Sequence, residues 1–464
     1  VGSVQIHHPT LLCAENQIGH GNRPFARWQK VFSKGKQMST TIDGPTHRDS
    51  DHSVVVTGMG AITPVGNTAA ETWEAFKAGR SGIGRLTVIE AASYPCKIAG
   101  QPKDFDPGKL IPRKKARHMT VSSQFAVYAA NQAIEDAGLE LEGEDRDNVG
   151  VIVGTAGGSG VTGAEKLTLQ LTEQSSERLS PFLIVTLWPN MAAYYISETF
   201  QLRGYNSTVV TACASATQAI GEAAEVIRRG AAEIMIAGGT ENLTAEITLA
   251  GFIKIRALAT SFNDEPERGM RPFDADREGF VPAMGSAMLV LESKAHAQAR
   301  GAHIYAEVLG YGVSNDAFHI IAPEPEGKGA TLAVRRALAS AGVGIEEVDY
   351  INAHATSTPL GDVAETRTIK KVFGKRAYDI PISATKSMIG HMLGATGAVE
   401  AIACIMSIQE GIIHPTINYD TPDPECDLDY VPNEARHVKV DVAVSNSFGL
   451  GGQNAVLVLG RHNG

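Results

Sequence analysis

From Ser53 onward, short β-branched runs alternate with stretches whose small and apolar residues recur every three to four positions. That alternation predicts βα units feeding a parallel sheet. Val54-Val55-Val56-Thr57 reads as a strand running into a tight turn at Gly58-Met59-Gly60. A helical stretch through Phe125, Ala129, Ala133 and Ala137 ends at Gly138, the residue type that closes a helix in the left-handed region. Residues 149–153 form a strand of the fully buried kind, closing on Gly154-Thr155-Ala156-Gly157-Gly158.

The later chain echoes this order. A helical pattern over residues 332–338 leads to Ala341-Gly342 and the strand at 348–352. A second echo pairs the strand at 207–211, its following helix to Gly230 and the strand at 234–236 with residues 380–383, a helix ending at Gly411 and the strand at 442–445. Two similar βαβ-rich halves imply a duplication, with a site at the seam between them.

Residues 1–52 break the pattern and show no sustained period. They hold His7, His8, His20, His47 and His52 among Pro, Gly, Asn and Ser, and read as a disordered extension. Five basic residues and one acid up to Met38 leave a transit peptide as the alternative, though no amphipathic run supports it. The rest divides at about 302, giving halves over 53–302 and 303–464. Lys plus Arg number 41 against 51 for Asp plus Glu, a net charge of −10 over 464 residues, which argues against nucleic acid as a partner. No apolar run has the roughly 18 residues of a membrane helix. Five scattered cysteines form no disulfide framework or metal motif, so a reducing, cytoplasmic setting is expected, or an organelle if the extension is a transit peptide.

Within this frame a few residues carry chemistry. Cys213 follows an apolar strand and precedes a helix start, so the helix dipole is expected to lower its thiol pKa, and the sharp turn to expose its sulfur. His354 lies at the end of a strand and opens a hydroxyl-rich loop through Thr356 and Thr358, in the position where open α/β sheets keep their sites. His391 stands at the mouth of the later helix, five residues after Lys386, for which Glu400 is a candidate partner. The glycine-rich turn after Phe448 can present N–H groups to an oxyanion. No dinucleotide fingerprint or phosphate loop is complete, since Thr63 stands where a third glycine belongs.

Taken in order, Thr211-Ala212-Cys213-Ala214-Ser215, Asn352-Ala353-His354-Ala355-Thr356-Ser357-Thr358-Pro359, Lys386-Ser387-Met388-Ile389-Gly390-His391 and Asn446-Ser447-Phe448-Gly449 resemble the β-ketoacyl-[acyl-carrier-protein] synthases of the elongating, Cys-His-His type. Arg271-Pro272-Phe273-Asp274 and Arg277-Glu278-Gly279-Phe280 fit the same family, and the likeness runs from about Ser53 to Gly460. It implies an α/β thiolase fold of duplicated βαβ-rich halves in five layers (α-β-α-β-α), usually a homodimer. It also implies decarboxylative condensation of an acyl thioester with malonyl-acyl-carrier protein, with no metal or other cofactor. Cys213 then carries the acyl group, His354 and His391 assist decarboxylation, and Lys386 with Glu400 orients the second histidine region. N–H groups of Cys213 and Phe448 form the oxyanion hole, with Phe448 also a candidate gate. Thr356 and Thr358 bind the pantetheine arm. Gly157 leaves the acyl pocket open to medium and long chains. Lys114, Lys115, Arg117 and Arg256 are expected to dock the acidic carrier protein.

The chain departs from the family pattern at Met284, where an acid is common, at Val363, and at Leu450 and Gln453 in the last glycine loop. A ketosynthase of a polyketide pathway shares the triad. A chain-length-factor-like partner lacks the cysteine, and a thiolase needs a second catalytic cysteine that neither Cys404 nor Cys426 supplies.

Overall fold

The computed structural model describes residues 53–142, 144–173, 180 and 182–463, so the expected extension at 1–52 lies outside the described residues. Ten strands form one mixed sheet. In chain order they are β1 (Val54–Ile62), β2 (Val149–Gly154), β3 (Asn206–Val209), β4 (Ile234–Asn242), β5 (Met284–Ser293), β6 (Ala306–Asn315), β7 (Tyr350–Asn352), β8 (Ile382–Ser383), β9 (Val442–Gly449) and β10 (Gln453–Gly460). Their spatial order is β3-β2-β4-β5-β1-β6-β10-β9-β7-β8.

Read from the outer edge inward, the first five strands lie in the order third, second, fourth, fifth, first, and the last five repeat it from the opposite edge. Directions repeat as well. β2 runs parallel to β3 and β4, while β5 runs antiparallel to β4 and β1. In the second half β7 runs parallel to β8 and β9, while β10 runs antiparallel to β9 and β6. Identical order and direction in both halves bear out the duplication. The halves share an edge, because Val55 and Val56 of β1 pair with Glu307 and Ala306 of β6.

Five helices set the layers: α1 (Val121–Asp136), α2 (Ser215–Arg228), α3 (Lys328–Ala341), α4 (Pro359–Phe373) and α5 (Thr396–Glu410). α1 covers the outer face of the first half, and α3, flanked by α4, that of the second. α2 and α5 pack on each other between the two half-sheets, which completes the five layers. Burial explains the sequences of these central helices. In α5, 12 of 15 residues are buried, so the helix is apolar on every side rather than striped. A buried charge on such a helix needs a partner, and Glu400 is the buried one it carries.

One local expectation is overturned. Gly58 and Gly60 make no turn; β1 continues straight through them, with an irregularity in its pairing between Val56 and Gly58. Helix α1 lies directly on this strand. A Cβ at Gly58 would stand 2.1 Å from the Ala133 carbonyl oxygen, and one at Gly60 2.1 Å from that of Ala129. These glycines therefore serve helix–sheet contact, whereas Gly138, at φ +57°, does close α1 as expected.

Candidate active site

The chain leaves β3, turns through a short 3₁₀ segment, Ala212–Ala214, and enters α2. Ala212 holds a φ of +50°, an unfavourable conformation for alanine. Ser215 stabilises it: its hydroxyl contacts the carbonyl oxygens of Ala212 (2.7 Å) and Thr155 (3.1 Å) and accepts from the Thr211 N–H (2.9 Å). This pinned elbow points Cys213 at the second half of the molecule.

From that half, His391 Nε2 meets Cys213 Sγ at 3.1 Å, and its Nδ1 lies 3.1 Å from Thr396 Oγ1 at the start of α5. Its backbone is held on both sides, since His391 N–H donates to Val281 (2.8 Å) and its carbonyl accepts from Ala283 (3.0 Å). His354 follows β7, and the Glu365 carboxylate of α4 accepts from the N–H groups of His354 (2.8 Å) and Ala355 (2.7 Å). Asn446 Nδ2 donates to the same carboxylate at 3.1 Å. The reactive atoms of Cys213, His354 and His391 all lie within 4.8 Å of one another.

Lys386 is fully buried and bonds Glu400 Oε1 at 2.6 Å, so the expected pair forms. Its role differs from the expectation in one respect. The ammonium lies 3.4 Å from His354 Nδ1, so it contacts the first histidine rather than the second. A Lys donor on Nδ1 leaves the His354 hydrogen on Nε2.

Burial dominates the electrostatics. It pushes the Cys213 thiol up to about 11, against the pull of the Leu450 N–H, Lys386 and its own N–H. The expected lowering by the helix dipole is thus overturned: the group rests as a thiol because desolvation outweighs the dipole. Burial and the Lys386 charge hold both histidines well below their ordinary pKa, with His391 adding to the effect on His354. Both rings are neutral at pH 7. Burial raises Glu400 to about 7, with Lys386 opposing it.

A cavity of about 360 Å³ leads to the triad, lined by Thr356, Thr358, Phe448 and Arg256. The two threonine hydroxyls lie 3.0 Å apart, and the Phe448 ring sits 5.9 Å from that of His354. Leu450, noted in the sequence only as a departure from the family pattern, turns its N–H to Sγ from the last glycine loop. Gly157, outside the cavity lining, has a φ of +106°, and a Cβ there would meet nothing within 4 Å among the described residues. Lys114, Lys115 and Arg117 are not in the cavity lining. Lys115 is engaged by Glu198 and by Thr199 Oγ1 at 2.8 Å, while Lys114 and Arg117 are exposed. Met284, where an acid is common, packs with Ile62 and Phe125 in an apolar cluster.

Glu365 and Thr396 escaped the sequence reading. Eleven residues separate Glu365 from His354, one helix away, and nothing in that spacing signals that a carboxylate caps the loop backbone.

The model of the β-ketoacyl synthase N-terminal domain matches residues 51–297, and that of the C-terminal domain matches residues 305–420. A 3-oxoacyl-[acyl-carrier-protein] synthase 2 of Synechocystis is 47% identical over 409 residues, 88% of this chain and 98% of that protein. A β-ketoacyl synthase from Burkholderia phymatum superposes with a TM-score of 0.82 at 37% identity, covering 89% of this chain and all of the other. A type II polyketide ketosynthase, solved with its acyl-carrier protein and bound to a hexaketide, gives a TM-score of 0.82 at 33% identity, covering 89% of this chain and 99% of that one. Together with a cysteine and two histidines converging from duplicated halves, these matches settle the lineage: this chain belongs to the β-ketoacyl synthase family.

Proposed function

We propose that this protein condenses an acyl thioester with malonyl-acyl-carrier protein, releasing CO₂ and 3-oxoacyl-acyl-carrier protein, in fatty acid elongation. The observation that carries this reading is the 3.1 Å approach of Cys213 Sγ to the neutral His391 Nε2, with His354 beside them.

Cys213 Sγ attacks the acyl thioester carbonyl carbon. Its proton passes to His391 Nε2 and on to the departing pantetheine sulfur as the old carbon–sulfur bond breaks. The Thr396 hydroxyl can donate to Nδ1 or accept from it, so it serves both tautomers of His391. Malonyl-carrier protein then binds. Its carboxylate leaves as CO₂, and the electron pair of the broken carbon–carbon bond forms an enolate on the thioester. His354 Nε2–H, kept in that tautomer by Lys386, stabilises the enolate oxygen together with His391. The enolate carbon attacks the acyl-cysteine, the carbon–sulfur bond breaks, and the Cys213 sulfur takes a proton from solvent. The electrons for the new bond come from decarboxylation, so the reading calls for no cofactor.

The carrier protein is the partner in this reading. Thr356 and Thr358 take its pantetheine arm, Arg256 stands at the mouth, and Lys114, Lys115 and Arg117 supply further docking charge. The open Gly157 position supports tolerance of medium and long acyl chains. Assaying 3-oxoacyl product with carriers of eight to sixteen carbons tests both claims. Product across the series supports them; product from short chains alone refutes the open pocket, and none at any length refutes the condensation.

A homodimer completes the reading. β3 is an open sheet edge, and Trp188 (54% exposed) and Val210 (49%) leave large apolar surface in water. A second copy covering that edge accounts for both features.

A further inference from the structure

Residues 271–280, singled out in the sequence, take no part in the chemistry above. Their place in the fold gives them a task. The loop after His354 is strained, with Ala355 at φ +39° and Ser357 at φ +60°. Such backbone persists only where its surroundings over-determine it. Beside the Glu365 carboxylate, which holds the Ala355 N–H, the surroundings here come from one segment. The Arg271 N–H donates to Ser357 Oγ at 3.1 Å, and the Phe273 N–H to Asp362 Oδ2 at 2.8 Å. Phe273 is itself at φ +64° and stacks on Tyr430 with ring centroids 3.8 Å apart.

Arg277 closes the arrangement. Its side chain is 4% exposed. Nε donates to the Thr358 carbonyl (3.2 Å) and Nη2 to that of Pro359 (2.9 Å). Nη1 donates to the Asp274 carbonyl (2.8 Å) and to Asp423 Oδ2 (2.6 Å). The planar fork thus ties the threonine loop to two other chain segments at once, which a lysine cannot reproduce.

We propose that Arg277 is a positioning residue for substrate binding: it fixes the backbone of Thr358 and Pro359, and through it the threonine hydroxyls at the cavity mouth. The inference rests on the function proposed above, in which those hydroxyls receive the pantetheine arm. Arg277 touches neither Cys213 nor either histidine, so its loss should weaken substrate binding and spare the thiol.

The test is Arg277→Lys, with KM and kcat measured for acyl- and malonyl-carrier protein and the rate of Cys213 alkylation by iodoacetamide as a carrier-independent readout. KM should rise about tenfold, with kcat and the alkylation rate within about twofold of wild type. Asp423→Asn, which loosens Arg277 from its outer side, should move KM in the same direction by less, and it decides the matter if Arg277→Lys does not fold. An unmoved KM, or a fall in kcat and alkylation rate at constant KM, overturns the proposal. Wild-type protein that forms no 3-oxoacyl product refutes the underlying function instead.

Discussion

The Cys213 thiol stands between burial, which raises it to about 11, and the Leu450 N–H and Lys386, which pull it down. A thiol in that state needs a proton acceptor, and His391 is one because burial and Lys386 keep it neutral. The sign of the pH dependence follows. A histidine whose pKa is lowered stays unprotonated as pH falls through its ordinary value near 6.5, so His354 and His391 should not titrate between pH 8 and 6. Histidine NMR on the resting enzyme checks this, and an inflection near 6.5 for either ring contradicts it. The Lys386–Glu400 pair gives a second expectation. Lys386→Met leaves a buried carboxyl without its partner and should cost about 3–5 kcal/mol in urea unfolding, whereas Lys386→Met with Glu400→Leu should cost clearly less. The identities of the triad and of this pair were legible in sequence because each sits in a distinctive short string. The thiol pKa was not, because desolvation depends on what packs over the sulfur from distant parts of the chain, His391 lying 178 positions away.

Strands and helices show the same division between local and distant causes. The alternation of runs placed seven of the ten strands and left out β5, β6 and β10, which run antiparallel to their neighbours, and the apolar character of α5 follows from its place between two half-sheets. Gly58-Met59-Gly60 misled, since glycine signals a turn in sequence and here answers to the approach of α1, which no neighbouring residue announces. The consequence is measurable. Gly58→Ala puts a methyl group into the α1 backbone and should destabilise the protein by about 3 kcal/mol in urea unfolding. A change below 0.5 kcal/mol shows that the helix can move away and contradicts the packing account. Helix α4 carries the carboxylate that caps the His354 loop, a link between elements that their separate patterns do not encode.

Duplication explains the whole molecule: each half contributes part of one site, the nucleophile from the first and both histidines from the second. Neither half alone holds a working triad, so activity depends on the central helices that join them. The proposed homodimer, argued from the β3 edge and the exposed Trp188 and Val210, extends this logic to a second copy. Light scattering should give twice the chain mass of 49.1 kDa, and Trp188→Asp with Val210→Asp should shift the protein towards monomer. A monomeric wild type contradicts that assembly. The central claim, that Cys213 is the acyl carrier activated by His391, is tested most directly by intact-mass analysis after incubation with acyl-carrier protein. The account predicts one acyl group per chain, mapped to Cys213, absent from Cys213→Ala and forming at least about tenfold more slowly in His391→Ala. An adduct that survives in Cys213→Ala, or none on the wild type, contradicts it.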